Sequence, residues 1–197
     1  MDIVLDNISK SFSGSPVLEG VSLRFPEGET SCIMGPSGCG KTTLLNIIAG
    51  LTAPDGGSLT GTTGRSMAYA FQEPRLLPWK TVAENVGFVL PADMDPEARR
   101  ARAMECLSLV DLSDAAGMLP SRLSGGMAQR VSLARALAPR ADILLLDEAF
   151  CAIDTSLRES IIARLKAIFA QDGTTVIAVT HSAGEAALLG GTVRLVD

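Results

Sequence analysis

The run GPSGCGKTT, from Gly35 to Thr43, constrains this chain more than any other stretch. It follows the apolar segment Thr30-Ser31-Cys32-Ile33-Met34 and precedes Leu44-Leu45-Asn46-Ile47-Ile48, whose apolar residues fall at helical spacing. Strand, glycine-rich turn and helix in that order are the setting of a phosphate-binding loop. Gly35, Gly38 and Gly40 are expected to take backbone angles closed to other residues, turning loop N–H groups onto an anion. The helix starting near Lys41 adds its unpaired N–H groups and the positive end of its dipole. Lys41 is placed to reach the β- and γ-phosphates of a nucleotide, and the Thr42 hydroxyl to ligate Mg²⁺.

At 197 residues, 47% of them hydrophobic and 20% charged, the chain has the balance of one globular α/β domain. A net charge of −5 argues against nucleic acid as a partner, since binding its backbone depends on Lys and Arg. No apolar run reaches the roughly 20 residues that span a bilayer. The start, MDIVLDNISKSF, lacks the basic region and apolar core of a secretory leader. Cys32, Cys39, Cys106 and Cys151 show no metal-ligand spacing and read as reduced thiols. A cytoplasmic protein that meets a membrane only through a partner is expected.

Alternation at Ile3, Leu5 and Ile8, and again at Val21, Leu23 and Phe25, predicts a strand pair of a small antiparallel sheet. Between them Phe12 lies in a polar turn, either as a plug for the core or as a stacking platform for a purine. The loop helix should end near Gly50. The Gly, Pro and Thr content of LTAPDGGSLTGTTGRS then predicts a short hairpin, and Met67 to Phe71 a buried strand ending at Gln72.

From Pro74 to about Arg122 no strand-like run occurs. Pro78-Trp79-Lys80-Thr81 starts a helix with Val82, Val86 and either Val89 or Leu90 on one face. Asp95-Pro96-Glu97 starts another, which would bury Ala101, Met104, Leu107 and Val110 and expose Arg99, Arg100 and Glu105. A helical subdomain over about 74–122 is expected, inserted in a single domain whose α/β core comprises 1–73 and 123–197. Further on, a helix from Met127 is closed by Pro139, and Ile143-Leu144-Leu145-Leu146 reads as a central parallel strand. A helix from about Ser156 to Ala170, a strand ending at Thr180-His181 and a last strand over Val193 to Val196 complete the reading.

Gln72, Asp147 and His181 each follow an apolar strand, and open parallel sheets bind ligands beyond the carboxyl ends of their strands. Asp147 is the expected holder of Mg²⁺, and Glu148 beside it the natural base for an attacking water. His181, the only histidine, suits a γ-phosphate sensor. LSGG, ending at Gly126, makes a second anion-binding helix start. One chain needs only one γ-phosphate cradle, so the second makes sense in completing the site of another copy, head to tail.

The ordered set GPSGCGKTT, Gln72, LSGGMAQR, ILLLDE, Ala152-Ile153-Asp154 and His181 resembles the motifs of ATP-binding subunits of ABC transporters over nearly the whole chain. The resemblance implies a P-loop ABC-type ATPase core with a small antiparallel β subdomain and an inserted helical subdomain. It implies ATP and Mg²⁺ as cofactors. The nucleotide is implied to contact Gly35, Pro36, Ser37, Gly38, Cys39, Gly40, Lys41, Thr42 and Thr43, with Phe12 stacked on adenine. Thr42, Gln72 and Asp147 become the metal residues, Glu148 the catalytic base, and His181 the residue that steadies the γ-phosphate. Ser124, Gly125 and Gly126 would reach the nucleotide of the opposite subunit, and Asp154 would span the dimer seam. FQEPRLLPWKTVAENV is similar to the bacterial nitrate, sulfonate and taurine importer subgroup, which implies a membrane permease docked over Gln72–Trp79 and a separate solute-binding protein.

Two departures stand out. The family's Pro after the catalytic Glu is here Ala149, and its Gly two positions further is Cys151. Neither carries the chemistry. Cys151 near the seam is either a thiol whose modification impairs turnover or an inert filler. The rival readings are a soluble ABC ATPase of translation or repair and the ATPase of an exporter or lipid-handling complex. Fused domains, long insertions or a basic surface would favour the first, and the membrane partner decides the second.

Overall fold

In the computed structural model, residues 1–195 are described, so Val196 of the expected last strand lies outside them. Five parallel strands form the centre: β5 (Met67–Ala70), β6 (Ile143–Asp147), β7 (Thr175–Val179), β3 (Thr30–Met34) and β8 (Thr192–Leu195), in that spatial order. The three-stranded antiparallel sheet has β1 (Ile3–Phe12) between β2 (Ser15–Phe25) and β4 (Gly56–Thr60).

The continuous apolar strands are explained by what covers each face. On β6 and β7, Ile143, Leu145, Ile177 and Val179 point to one side, joining α1 (Lys41–Ile48) and the inner residues of the antiparallel sheet, such as Ile3, Leu5 and Phe25. The alternate residues Leu144, Leu146, Val176 and Ala178 point to the other side. There they meet α4 (Gly125–Leu137), α5 (Thr155–Asp172), α6 (Ala183–Leu189) and the helices α2 (Val82–Gly87) and α3 (Pro96–Leu109). Every residue of β6 and β7 is buried, as two covered faces require. Each large aliphatic side chain there contributes roughly 2 kcal/mol by leaving water.

Several local expectations shift. The stretch after α1 holds one strand rather than a hairpin, because β4 pairs with β1 and its neighbour β5 belongs to the other sheet. Gly57 makes that pairing possible: a Cβ there would lie 2.3 Å from the Asn7 carbonyl oxygen. Asn7, at φ 52°, marks the bulge where the buried side of β1 changes from odd to even residues, Ile3 and Leu5 before it and Ile8 after. Just past α2, which ends at Gly87, the inward residue is Leu90, at 7% exposure, not Val89. The α2 start carries a capping box between Thr81 and Glu84, and Asp95 caps α3.

The buried side of α3 is rotated from the expected one. Ala103, Cys106, Leu107 and Val110 are inward, Ala101 is exposed and Met104 is half-buried. Arg102 sets this rotation, donating to the carbonyl oxygens of Leu137 and Ala138 at 2.8 and 3.0 Å and so closing the end of α4. Arg99 is half-buried, with its guanidinium on the carbonyl oxygens of Pro91 and Ala92. The helix α6, which capping by Ser182 begins and Gly190 ends, had no counterpart in the sequence reading.

Candidate functional site

The strand order places the ends of β5, β6, β7 and β3 in a row, and each delivers one part of the site. After β3 the loop turns through Gly38 at φ 86° and Gly40 at φ 90°, while Gly35 is not among the glycines with positive φ. Gly40 is also required by space, since a Cβ would sit 2.7 Å from Leu18 Cδ2 and 2.9 Å from the Val17 oxygen. Lys41 opens α1, is 5% exposed, and directs Nζ to the loop's own carbonyls, Gly35 O at 2.9 Å and Pro36 O at 2.7 Å. Cys39 Sγ is 3.7 Å from the same nitrogen. Pro36, Ser37 and Thr42 are exposed, and Thr43 is half-buried.

Glu148, just past β6, is held from both sides. His181 Nε2 lies 2.5 Å from its Oε1, and Gln72 Nε2 donates to its Oε2 at 3.2 Å. The backbone of Glu148 is left-handed at φ 49°, and its N–H donates to the Val179 carbonyl at 3.0 Å. A non-glycine residue in that region costs on the order of 1 kcal/mol, a strain sustained only where the surroundings fix it. Ala149 and Phe150 behind it are each 1% exposed, so the turn is anchored in the core in spite of the departures at Ala149 and Cys151.

Asp147 is 1% exposed. Burial pushes its carboxyl above the ordinary range; the Thr42 and Tyr69 hydroxyls oppose that, and the Glu148 charge reinforces it. Its Oδ1 is buried without a hydrogen-bond partner. An anionic oxygen so placed, with a threonine hydroxyl beside its carboxylate, is the donor set a hard divalent cation takes, so these residues fit Mg²⁺. Thr42, Gln72 and Asp147 are the residues that would hold it.

Phe12 ends β1 with its ring 49% exposed, which excludes the core plug. Lys10 Nζ is 5.5 Å from the ring centroid, and the same β1–β2 hairpin presses Val17 and Leu18 against Gly40. Ser124 caps α4, accepting from Met127 N–H at 3.2 Å, and a Cβ on Gly125 would meet nothing within 4 Å. At Gly126 a Cβ would approach Ala152 O to 2.5 Å, so the start of α4 packs on the Ala152–Asp154 turn. Asp154 is exposed at the start of α5. The structure thus gathers Lys41, Thr42, Gln72, Asp147, Glu148 and His181 at one rim. It sets Ser124, Gly125, Gly126 and Asp154 in a second, open cluster. Cys151 is exposed beside Glu148, but partial burial of its sulfur and, after it, the Glu148 charge push its thiol up and away from the reactive thiolate.

Three supporting groups escaped the sequence reading. Tyr69 touches Asp147, and Glu185 is buried at 5% exposure within electrostatic reach of Glu148 and His181. Arg135 of α4 donates to the carbonyl oxygens of Pro74 and Arg75 at 2.7 and 2.9 Å, holding the segment that follows Gln72. An arginine between the apolar residues Ala134 and Ala136 was the only available signal for the last of these.

Comparisons with known proteins agree with this geometry. The ABC transporter family model matches residues 18–151. The aliphatic sulfonates import ATP-binding protein SsuB 1 of Agrobacterium fabrum is 42% identical over 97% of this chain and 69% of its own length. The taurine import ATP-binding protein TauB of Chromobacterium violaceum is 43% identical, covering 95% and 75%. Among solved structures, the dimer of the bacterial ABC transporter cassette MJ0796 superposes with a TM-score of 0.91 at 36% identity, over 98% of this chain and 94% of that one. Its post-hydrolysis state bound to ADP and Pi gives 0.91 at 35% identity, over 99% and 94%. With the phosphate loop, the held glutamate and the capped second cluster in place, the chain belongs to the ABC transporter family, as an ATP-binding cassette with the apparatus of an ATPase.

Proposed function

We propose that this chain powers solute import, hydrolysing ATP as a head-to-tail pair of copies and driving a separate membrane permease. The observation that carries the reading is Glu148 fixed between Gln72 and His181 beside the phosphate loop. The sulfonate and taurine import names of its relatives support the direction of transport.

In this reading Phe12 stacks on the base, which a ring does without reading its edge. Loop residues Gly35 to Thr43 and the positive end of α1 hold the phosphates, and Lys41 turns from its carbonyl partners to the γ-phosphate. Thr42, Gln72 and Asp147 would hold Mg²⁺, which would supply positive charge against that of the phosphates. Glu148 accepts the proton of the attacking water, and His181 bonds the γ-phosphate. Ser124, Gly125 and Gly126 of one copy close over the nucleotide of the other, with Asp154 in the seam. The open space at Gly125 and the exposure of Asp154 support that pairing.

For the permease, the helical segment 74–122 offers an exposed apolar surface: Trp79 is 73%, Phe88 61% and Val89 41% exposed. A cavity of about 880 Å³ lies alongside, between α2 and α3, rimmed by Lys80, Glu84, Arg99 and Arg100. Single exposed apolar residues are ordinary, but three on one short segment, with Phe88 lining the groove, suit a partner. Among the described residues no helix is long and apolar enough to cross a membrane, so the chain would sit peripherally on the inner face through that permease. A solute-binding protein on the far side completes the importer.

The test is Glu148→Gln. It should bind ATP normally and hydrolyse it at least a hundredfold more slowly. Carried with ATP through detergent-solubilised native membranes, it should retain a multi-span permease. Near-normal turnover rejects Glu148 as the base, and recovery of soluble partners alone rejects the transporter.

A further inference from the structure

Tyr69 is the only tyrosine of the chain. It stands on β5 opposite Leu145 of β6, and its hydroxyl lies 3.3 Å from Asp147 Oδ2 and 3.3 Å from Asn46 Oδ1. A phenol keeps its proton at neutral pH, and here it donates toward both oxygens. Asp147 Oδ2 thus shares the single phenol proton with Asn46 Oδ1. Oδ1, buried and without a partner, is the oxygen that remains.

The ring has a second attachment. It stacks on Phe71 with centroids 4.0 Å apart and planes 17° from parallel, and the Arg75 guanidinium lies 4.4 Å from the Phe71 centroid. Arg135 then fixes the carbonyls of Pro74 and Arg75 from α4. A line of contacts therefore runs from Asp147 through Tyr69, Phe71 and Arg75 to the helix that Ser124 caps, passing the backbone that carries Gln72.

We propose that Tyr69 is a positioning residue of the Mg²⁺–nucleotide site: its hydroxyl pins Asp147 Oδ2 so that Oδ1 stays free for the cation, and its ring couples that carboxylate to the segment bearing Gln72. The proposal rests on the ATPase reading above. Groups that orient a metal-holding carboxylate commonly matter tenfold or more to metal affinity, because a wandering carboxylate must be ordered again at each binding event.

The experiment titrates a fluorescent ADP analogue into the full chain, first in EDTA and then over a series of Mg²⁺ concentrations. Tyr69→Phe keeps the ring and removes only the hydroxyl. It should bind the analogue as the parent does in EDTA and need about tenfold more Mg²⁺ for the same gain in affinity. An unchanged Mg²⁺ dependence overturns the proposal. A second measurement needs no variant of the tyrosine: with 3-fluorotyrosine incorporated, the chain has one fluorine resonance. Adding Mg²⁺ to the ADP-bound protein should move it, and Asp147→Asn should remove the movement. A resonance blind to Mg²⁺ overturns the role of Tyr69. A parent chain whose nucleotide affinity ignores Mg²⁺ overturns the ATPase reading with it, which keeps the two failures distinct.

Discussion

A carboxylate as enclosed as that of Glu185 changes how the protein answers pH. Burial raises its pKa above the ordinary 4.5, against the lowering effect of the Thr180 hydroxyl and the Arg158 charge. The folded chain therefore holds that proton more tightly than the unfolded chain. The stability associated with it is present at low pH and is lost as pH rises from about 4.5 through the native value. Glu185→Gln should accordingly gain stability in urea unfolding at pH 8, with the gain shrinking towards pH 4.5; the reverse order would reject the assignment. None of this was legible beforehand. In SAGEAALL an acid three residues past a serine looks like a solvated first turn, whereas the strand-end acids Asp147 and Glu148 were marked by the apolar run ahead of them.

Elements were legible where their sequence signal is strong and exclusive. The β6 run and the capped starts at Thr81, Asp95 and Ser124 left little choice. The side that α3 buries was not legible, because Ala101, Ala103 and Cys106 differ little in hydropathy and the choice is made by Arg102 reaching the end of α4. β4 was hidden for a similar reason: its pairing depends on the close approach at Gly57, a contact distant in sequence. Leu145, fully buried between α1 and the antiparallel sheet, tests the packing at this scale. Leu145→Ala should lower unfolding free energy by about 3 kcal/mol, as large-to-small changes in a close-packed core do, with an unchanged urea m-value. A loss under 1 kcal/mol would mean that the two-sided covering of β6 is looser than described.

At the scale of the molecule, the strand-end cluster and the exposed apolar side chains occupy different surfaces. The reacting groups stand at strand ends, while Trp79 and Phe88 face outward from the helical segment. Trp79→Asp should therefore leave the ATPase rate of the isolated chain within about twofold and weaken ATP-dependent co-sedimentation with native membranes roughly thirtyfold, the loss expected for an interface anchor. Equal loss of both would place Trp79 inside the enzyme. The strand order has a further outcome, in the time domain of synthesis. β3 carries the phosphate loop and is made early, yet its two neighbours in the sheet are β7 and β8. A ribosome releasing this chain from its amino end exposes a cradle for phosphate long before the strands that support it exist. The nucleotide-binding end of the molecule is thus among the last places to become solid, and a stalled or shortened chain carries the motif without the means to use it.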